Sequence, residues 1–249
     1  MVRPDPAQAI VGFDTATDDL AVAAVRAGEV LWERALEPGE DGRPRHSAEL
    51  LALLEAAARA ARGWSGVGTI AVGVGPGSFT GLRVGVATAR ALAQGLKLTL
   101  APVGSLDALA MGLRQHEAAA GRSHLAAIDA RRGQLFCRLH GPAGEPIWEP
   151  FVATPDELTE RLGLARAELG SMPVAAGSGS LRFRRQLEAA GATVLADADA
   201  AHRLSGRHLC ALASEATPVP AEAVEPTYLR PPDAEIWRER DRQRRRDSI

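Results

Sequence analysis

The apolar positions change period in a fixed order along the first hundred residues. "AIVGF" (9–13) is a short apolar run closed by a polar turn, Asp14-Thr15-Ala16-Thr17-Asp18-Asp19. "LAVAAVR" (20–26) follows and turns at Gly28, and "VLWERAL" (30–36) alternates. This spacing predicts three strands. A Gly/Pro loop (38–45) leads to "HSAELLALLEAAARAARG" (46–63), whose apolar positions recur every three to four residues. That period predicts a helix that Ser47 can cap and Gly63 can end. "TIAVGVG" (69–75) reads as a buried strand, and a helix is expected from about Ser78 to Gln94.

From residue 124 the order recurs. "HLAAID" ends at Asp129, "QLFCRLH" (134–140) alternates, and "PIWEPFV" (146–152) is expected as a third strand. "TPDELTERLG" (154–163) predicts a helix, with Thr154 as cap, Pro155 at its first position and Glu157 closing a capping box. "MPVAAG" (172–177) predicts a strand and "LRFRRQLEAAG" (181–191) a helix; a further helix is expected near 204–216. Gly75-Pro76-Gly77-Ser78 and Gly177-Ser178-Gly179-Ser180 occupy matching places, as do Asp14 and Asp129. The chain thus reads as an α/β architectural repeat of two lobes, each β-β-β-α-β-α. The expected division is 1–103, a smaller lobe 104–230, and a charged, flexible tail 231–249 whose six arginines after Trp237 suit a solvated terminus or phosphate contact. Such a duplication resembles the actin-like, Hsp70 and sugar-kinase fold. That resemblance implies a nucleotide cleft between the lobes, here vestigial, with Asp14, Thr15, Gly77, Ser78, Asp129, Gly177 and Gly179 as its candidate residues. Each aspartate can equally hydrogen-bond its own turn.

Composition narrows the function classes. The 249 residues are 46% hydrophobic and 24% charged, with a net charge of -2, which gives no global attraction to nucleic acid or membrane. Neither a secretory h-region nor an apolar run of about 18 residues is present, so a cytoplasmic protein is expected. Cys137 and Cys210 form no C-x-x-C and are expected as small buried hydrophobes. The histidines offer no i, i+4 pair, so no metal site is expected.

The stretch "GVGPGSFTGLRVGVATARALAQGL" (73–96) has no lysine for a P-loop, and its glycines miss the G-x-G-x-x-G spacing. What remains is a strand, a tight turn and a helix. In that helix Arg83, Ala87, Arg90 and Gln94 form one stripe, Leu82, Val86, Ala89 and Ala93 an apolar one, and Gly81, Gly85, Thr88 and Leu92 a third. The 46–62 helix likewise carries Leu50, Leu53, Leu54 and Ala57 on one face and Ala52, Ala56 and Ala60 on another. A surface helix needs one apolar stripe. The second is explained by deep burial or by a partner's helices.

"GPGSFTGLRVGVATARALA" resembles the signature of the bacterial TsaB (YeaZ) family. "FDTAT" (13–17), "HSAELLALL" (46–54), "IDARRGQLF" (128–136) and "EPTYLRPP" (225–232) resemble further family motifs in the same order. The resemblance implies a non-catalytic partner of TsaD in making N6-threonylcarbamoyladenosine at position 37 of tRNAs that read ANN codons. It implies a TsaE-like ATPase as third component, tRNA contacted indirectly, and a homodimer when TsaD is absent. ATP and threonylcarbamoyl-AMP would be used by the complex, with no cofactor held tightly by this chain. The implied interface is a bundle of helices 46–62 and 79–95, with His46, Leu50, Leu53, Leu54, Ala57, Leu82, Arg83, Val86, Ala89, Arg90 and Ala93 as contacts. TsaD relatives carry a metal on a His-x-x-x-His pair, whose positions here fall at Ser105 and Leu109. An actin-like-fold enzyme, either a small-molecule kinase or ATPase or a glycoprotease-like metallopeptidase, stands as the alternative.

Overall fold

The computed structural model describes residues 4–230. The chain builds two five-stranded sheets of one topology. β1 (Ala9–Asp14), β2 (Leu20–Arg26), β3 (Glu29–Leu36), β4 (Val67–Gly73) and β5 (Thr99–Val103) lie in the order β3-β2-β1-β4-β5. β6 (His124–Arg131), β7 (Gln134–His140), β8 (Phe151–Ala153), β9 (Val174–Ala176) and β10 (Thr193–Val194) lie in the order β8-β7-β6-β9-β10. In each sheet the first strand pairs antiparallel with the second and parallel with the fourth. The repeat inferred from punctuation is therefore a repeat of strand order as well, the duplicated α/β plan of the actin-like fold.

Period-2 alternation sorts the first sheet. Val11, Phe13, Leu20 and Val22 face the helices α1 (His46–Ala60) and α2 (Phe79–Leu96), while Ile10, Ala21 and Ala23 face the opposite way. On that opposite side α3 (Ser105–Arg114) and α7 (Gly206–Glu215) fill the space between the sheets, with Leu106, Leu109, Leu209 and Cys210 packed between Ala71 and Ala126 of the two sheets. The far face of the second sheet is covered by α4 (Pro155–Leu169) and α6 (Arg184–Ala189), whose Leu158, Leu162 and Leu187 are fully buried. Cys137 and Cys210 are free and buried, and burial pushes both thiols up.

Five expectations need correction. Ser47 lies inside α1, which starts at His46 after Arg45 with no side-chain cap. The 154–163 helix runs on to Leu169, because Gly163 lies on an exposed face and the stop is Gly170, at φ 65°. The 181–191 helix is two, α5 (Ser178–Arg182) and α6, broken at Phe183. The third strand of the second sheet is Phe151–Ala153, with Pro146 contributing an isolated bridge to His140. A second lobe over 104–230 does not describe the packing, since α7 packs on the first sheet and Ala221 and Val224 enter the core under α1 and α2. The expected tail, 231–249, lies outside the described residues.

Candidate partner face and interlobe cleft

The glycine-rich loop seats α2 against the turn that follows β1. Ser78 caps the helix, accepting from Gly81 N at 3.3 Å, and its own N–H donates to Ala16 O at 2.7 Å. Thr15 Oγ1 donates to Gly81 O at 2.8 Å. A Cβ on Gly77 would stand 2.3 Å from Ala16 O, and one on Gly81 2.0 Å from Thr15 O. These glycines let helix and turn touch. The loop's polar groups are turned toward the chain's own backbone.

The apolar face of the first sheet determines how α1 and α2 roll. Leu50, Leu53, Leu54 and Ala57 on α1, and Leu82, Val86, Ala89 and Ala93 on α2, are buried, and all but Leu82 belong to the core of the first sheet. Leu82 closes over the loop, near Gly75. His46 is also buried, with Nε2 3.2 Å from Asp19 O and its pKa lowered, mainly by burial. Nine of the eleven expected contact residues therefore face inward, a correction with a simple cause: the bulky stripe is the one a sheet can bury. Arg83 and Arg90 point outward. The face left to solvent carries Ala48, Leu51 and Ala52 on α1, and Thr80, Ala87 and Ala91 beside the arginines on α2. Leu51 is 65% exposed, in contrast to the buried leucines around it. Its position at i+3 from Ala48 was available in the sequence, but no pattern ranks one apolar stripe of a helix above another without knowing where the sheet lies.

Between the lobes is a cleft of about 680 Å³. Of the expected cleft residues, Gly77, Ser78 and Asp129 line it; Asp14, Thr15, Gly177 and Gly179 do not. Asp14 is sealed: Ser105 Oγ donates to its Oδ2 at 2.6 Å and Ala16 N to its Oδ1 at 2.5 Å. Desolvation raises its pKa to about 6 against these hydrogen bonds. Gly177 and Gly179 press against the backbone of Ala127 and Ile128. Asp129 is held by Arg182 Nη1 at 2.8 Å and by the N–H of Arg131 at 2.8 Å, and Arg131 also bonds Asp18. The Arg131–Asp18 pair ties the turn after β1 to the equivalent end of β6. Asp18, Arg131 and the segment Thr227–Arg230 line the cleft and were missed as cleft residues; the second aspartate of the first turn was the available signal. Ser105, at one expected histidine position, is engaged with Asp14, and Leu109, at the other, is buried in the core between the sheets. Among the described residues no group of three or more His, Cys, Asp or Glu side chains is arranged to hold a metal ion.

Two sheets of one strand order, joined across a cleft by the Arg131–Asp18 pair, define a duplicated two-lobed protein of actin-like fold. The family model described as TsaD, tRNA N6-adenosine threonylcarbamoyltransferase, matches residues 40–173, more than half of the chain. Escherichia coli TsaB, a tRNA threonylcarbamoyladenosine biosynthesis protein, is 29% identical over 89% of this chain and 94% of its own length. Its Haemophilus influenzae namesake is 33% identical over 51% of each chain. A Pseudomonas aeruginosa crystal structure, described as similar to peptidase YeaZ, superposes with a TM-score of 0.73 at 26% identity, covering 90% of this chain and 100% of that one. The chain belongs to this TsaD-type family and, within it, to the TsaB (YeaZ) group.

Proposed function

We propose that this chain is a non-catalytic accessory subunit in the formation of N6-threonylcarbamoyladenosine at position 37 of tRNA. It docks on a TsaD-like catalytic subunit in the cytoplasm, with a TsaE-like ATPase as third component. The observation that carries the reading is the outward face of α1 and α2: small residues and one exposed leucine, framed by Arg59, Arg83 and Arg90. Small side chains let another helix pair approach closely, and an apolar patch within a charged frame suits an interface. The match to the transferase's own family model supports a TsaD-like partner. The chemistry of the donor groups supports a non-catalytic role: the two positions expected for a metal-binding His pair hold Ser105, bonded to Asp14, and Leu109, buried in the core. ATP and threonylcarbamoyl-AMP are then handled by the complex, and tRNA meets this chain only indirectly. Without its partner the same face should pair with a second copy.

The test is reconstitution. With the TsaD and TsaE subunits of the same genome, threonylcarbamoyl-AMP, ATP and tRNA, the chain should be required for modified adenosine, while alone it turns over neither ATP nor peptide. Steady ATP hydrolysis or peptide cleavage by the purified chain would overturn the reading.

A further inference from the structure

The segment after α7 is tied down along its length. Val219 and Leu100 exchange backbone hydrogen bonds of 2.7 and 3.2 Å, Val224 is fully buried in the core beneath α2, and Thr227 N donates to Val74 O at 2.7 Å. Arg230 Nη1 then reaches Gln134 Oε1 at 3.1 Å on the β6–β7 hairpin of the other sheet. The segment is a strap that starts on the outer strand of one sheet, crosses the cleft and ends on the other lobe.

Where the strap passes the start of α2 it makes a three-part stack. The Tyr228 and Phe79 rings lie 5.1 Å apart at 37°, and the Arg83 guanidinium sits 3.9 Å above the Phe79 ring. Arg83 Nε donates to Tyr228 Oη at 3.3 Å. Two segments 145 positions apart, "GPGSFTGLR" (75–83) and "EPTYLR" (225–230), thus meet at one point. Phe79 and Tyr228 line the cleft, while Arg83 belongs to the outward face of α2.

We infer that Tyr228 is a positioning residue for the partner face: it fixes Arg83 as the orienting cation of that face, presented to a carboxylate of the docking subunit. A free arginine samples many rotamers and must lose them on binding; one already stacked and hydrogen-bonded loses fewer. A face built largely of alanines gives a partner little to fix its register, and a placed charge supplies that. The inference rests on the accessory-subunit reading.

Binding of the TsaD subunit from the same genome, measured by titration calorimetry on the full chain, tests it. Arg83→Ala should weaken binding about thirtyfold, the loss expected when one close interfacial charge pair is removed. Tyr228→Ala should weaken it about tenfold and Tyr228→Phe, which keeps the ring and loses the hydroxyl, about threefold. The Arg83→Ala/Tyr228→Ala double variant should bind within about twofold of Arg83→Ala, because the two act through one contact. Wild-type affinity should fall with salt more steeply than that of Arg83→Ala. Losses that multiply in the double variant, or a Tyr228→Ala chain that binds like wild type, would overturn the inference. Should Tyr228→Ala melt at room temperature, the cycle is read with Tyr228→Phe. A wild-type chain that fails to bind at all rejects the accessory-subunit reading and this inference with it; a wild-type chain that binds without coupling rejects the inference alone.

Discussion

A carboxyl group at the end of β1 is buried where water cannot solvate its charge. Asp14 keeps two hydrogen bonds, from Ser105 Oγ and Ala16 N, yet its pKa rises to about 6 because desolvation outweighs them. The sign of the consequence follows from linkage. A carboxyl whose pKa is higher folded than unfolded binds its proton more tightly in the folded chain, so its contribution to stability is present at acid pH and is lost as pH rises from about 4 through 6. The shift from 3.8 to about 6 corresponds to about 3 kcal/mol. His208 works in the opposite sense: burial lowers its pKa to about 4, so stability is lost as pH falls from the ordinary histidine range toward 4. The two slopes offset in the native chain and separate on mutation. Asp14→Asn should gain stability relative to wild type as pH is raised from 4 to 7, by about 2 kcal/mol over the interval. Urea melts at half-unit pH steps check this; parallel curves for the two proteins would show that Asp14 does not titrate in that window.

For the helices, the governing quantity is which stripe the sheet takes. Leu51 and Val86 have similar apolar character and opposite fates, 65% exposed against 4%. Leu51→Glu should leave the melting transition almost where it is, within about 0.5 kcal/mol, and abolish co-purification with TsaD and any homodimer. Val86→Arg should cost about 3 kcal/mol or more, because it places an unpaired cation in a core made by the strands beneath, and any loss of partner binding would be secondary to that. If both variants lost binding without either losing stability, the burial pattern would be a poor guide to the interface. This pair also measures how much was legible. The sequence correctly has two helices with more apolar surface than one core needs, and it has their bounds to within about two residues at most ends. It has the glycine loop as a device for placing α2, because no lysine or dinucleotide spacing fits. It assigns to a partner a stripe that the first sheet buries, since periodicity is blind to rotation about the helix axis, which the sheet's Val11, Phe13 and Val22 determine.

At the scale of the whole molecule, two sheets of one strand order are joined through α3 and α7, and the segment after α7 returns to close the first core. The duplication was legible because punctuation recurs: a polar turn after the first strand, a glycine turn after the fourth. The return of α7 and the strap to the first sheet was not, because a Pro-bearing stretch such as "TPVPAEAVEP" carries no period to say what it packs on. Its contacts are long-range in sequence. Val219 pairs with Leu100, and Val224 completes a core begun by Ala9. Residues that close a core contribute to the stability of everything sharing it, whatever their place in the chain. Val224→Ala should therefore cost about 2 kcal/mol and move the cooperative unfolding of the first sheet, with the slowest-exchanging amides of β1 and β4 losing protection by the same free energy. A peripheral strap would behave otherwise: amides near Thr227 would exchange faster while those of β1 kept their full protection. That second pattern would mean the strap frays on its own, and that the first lobe is complete without it.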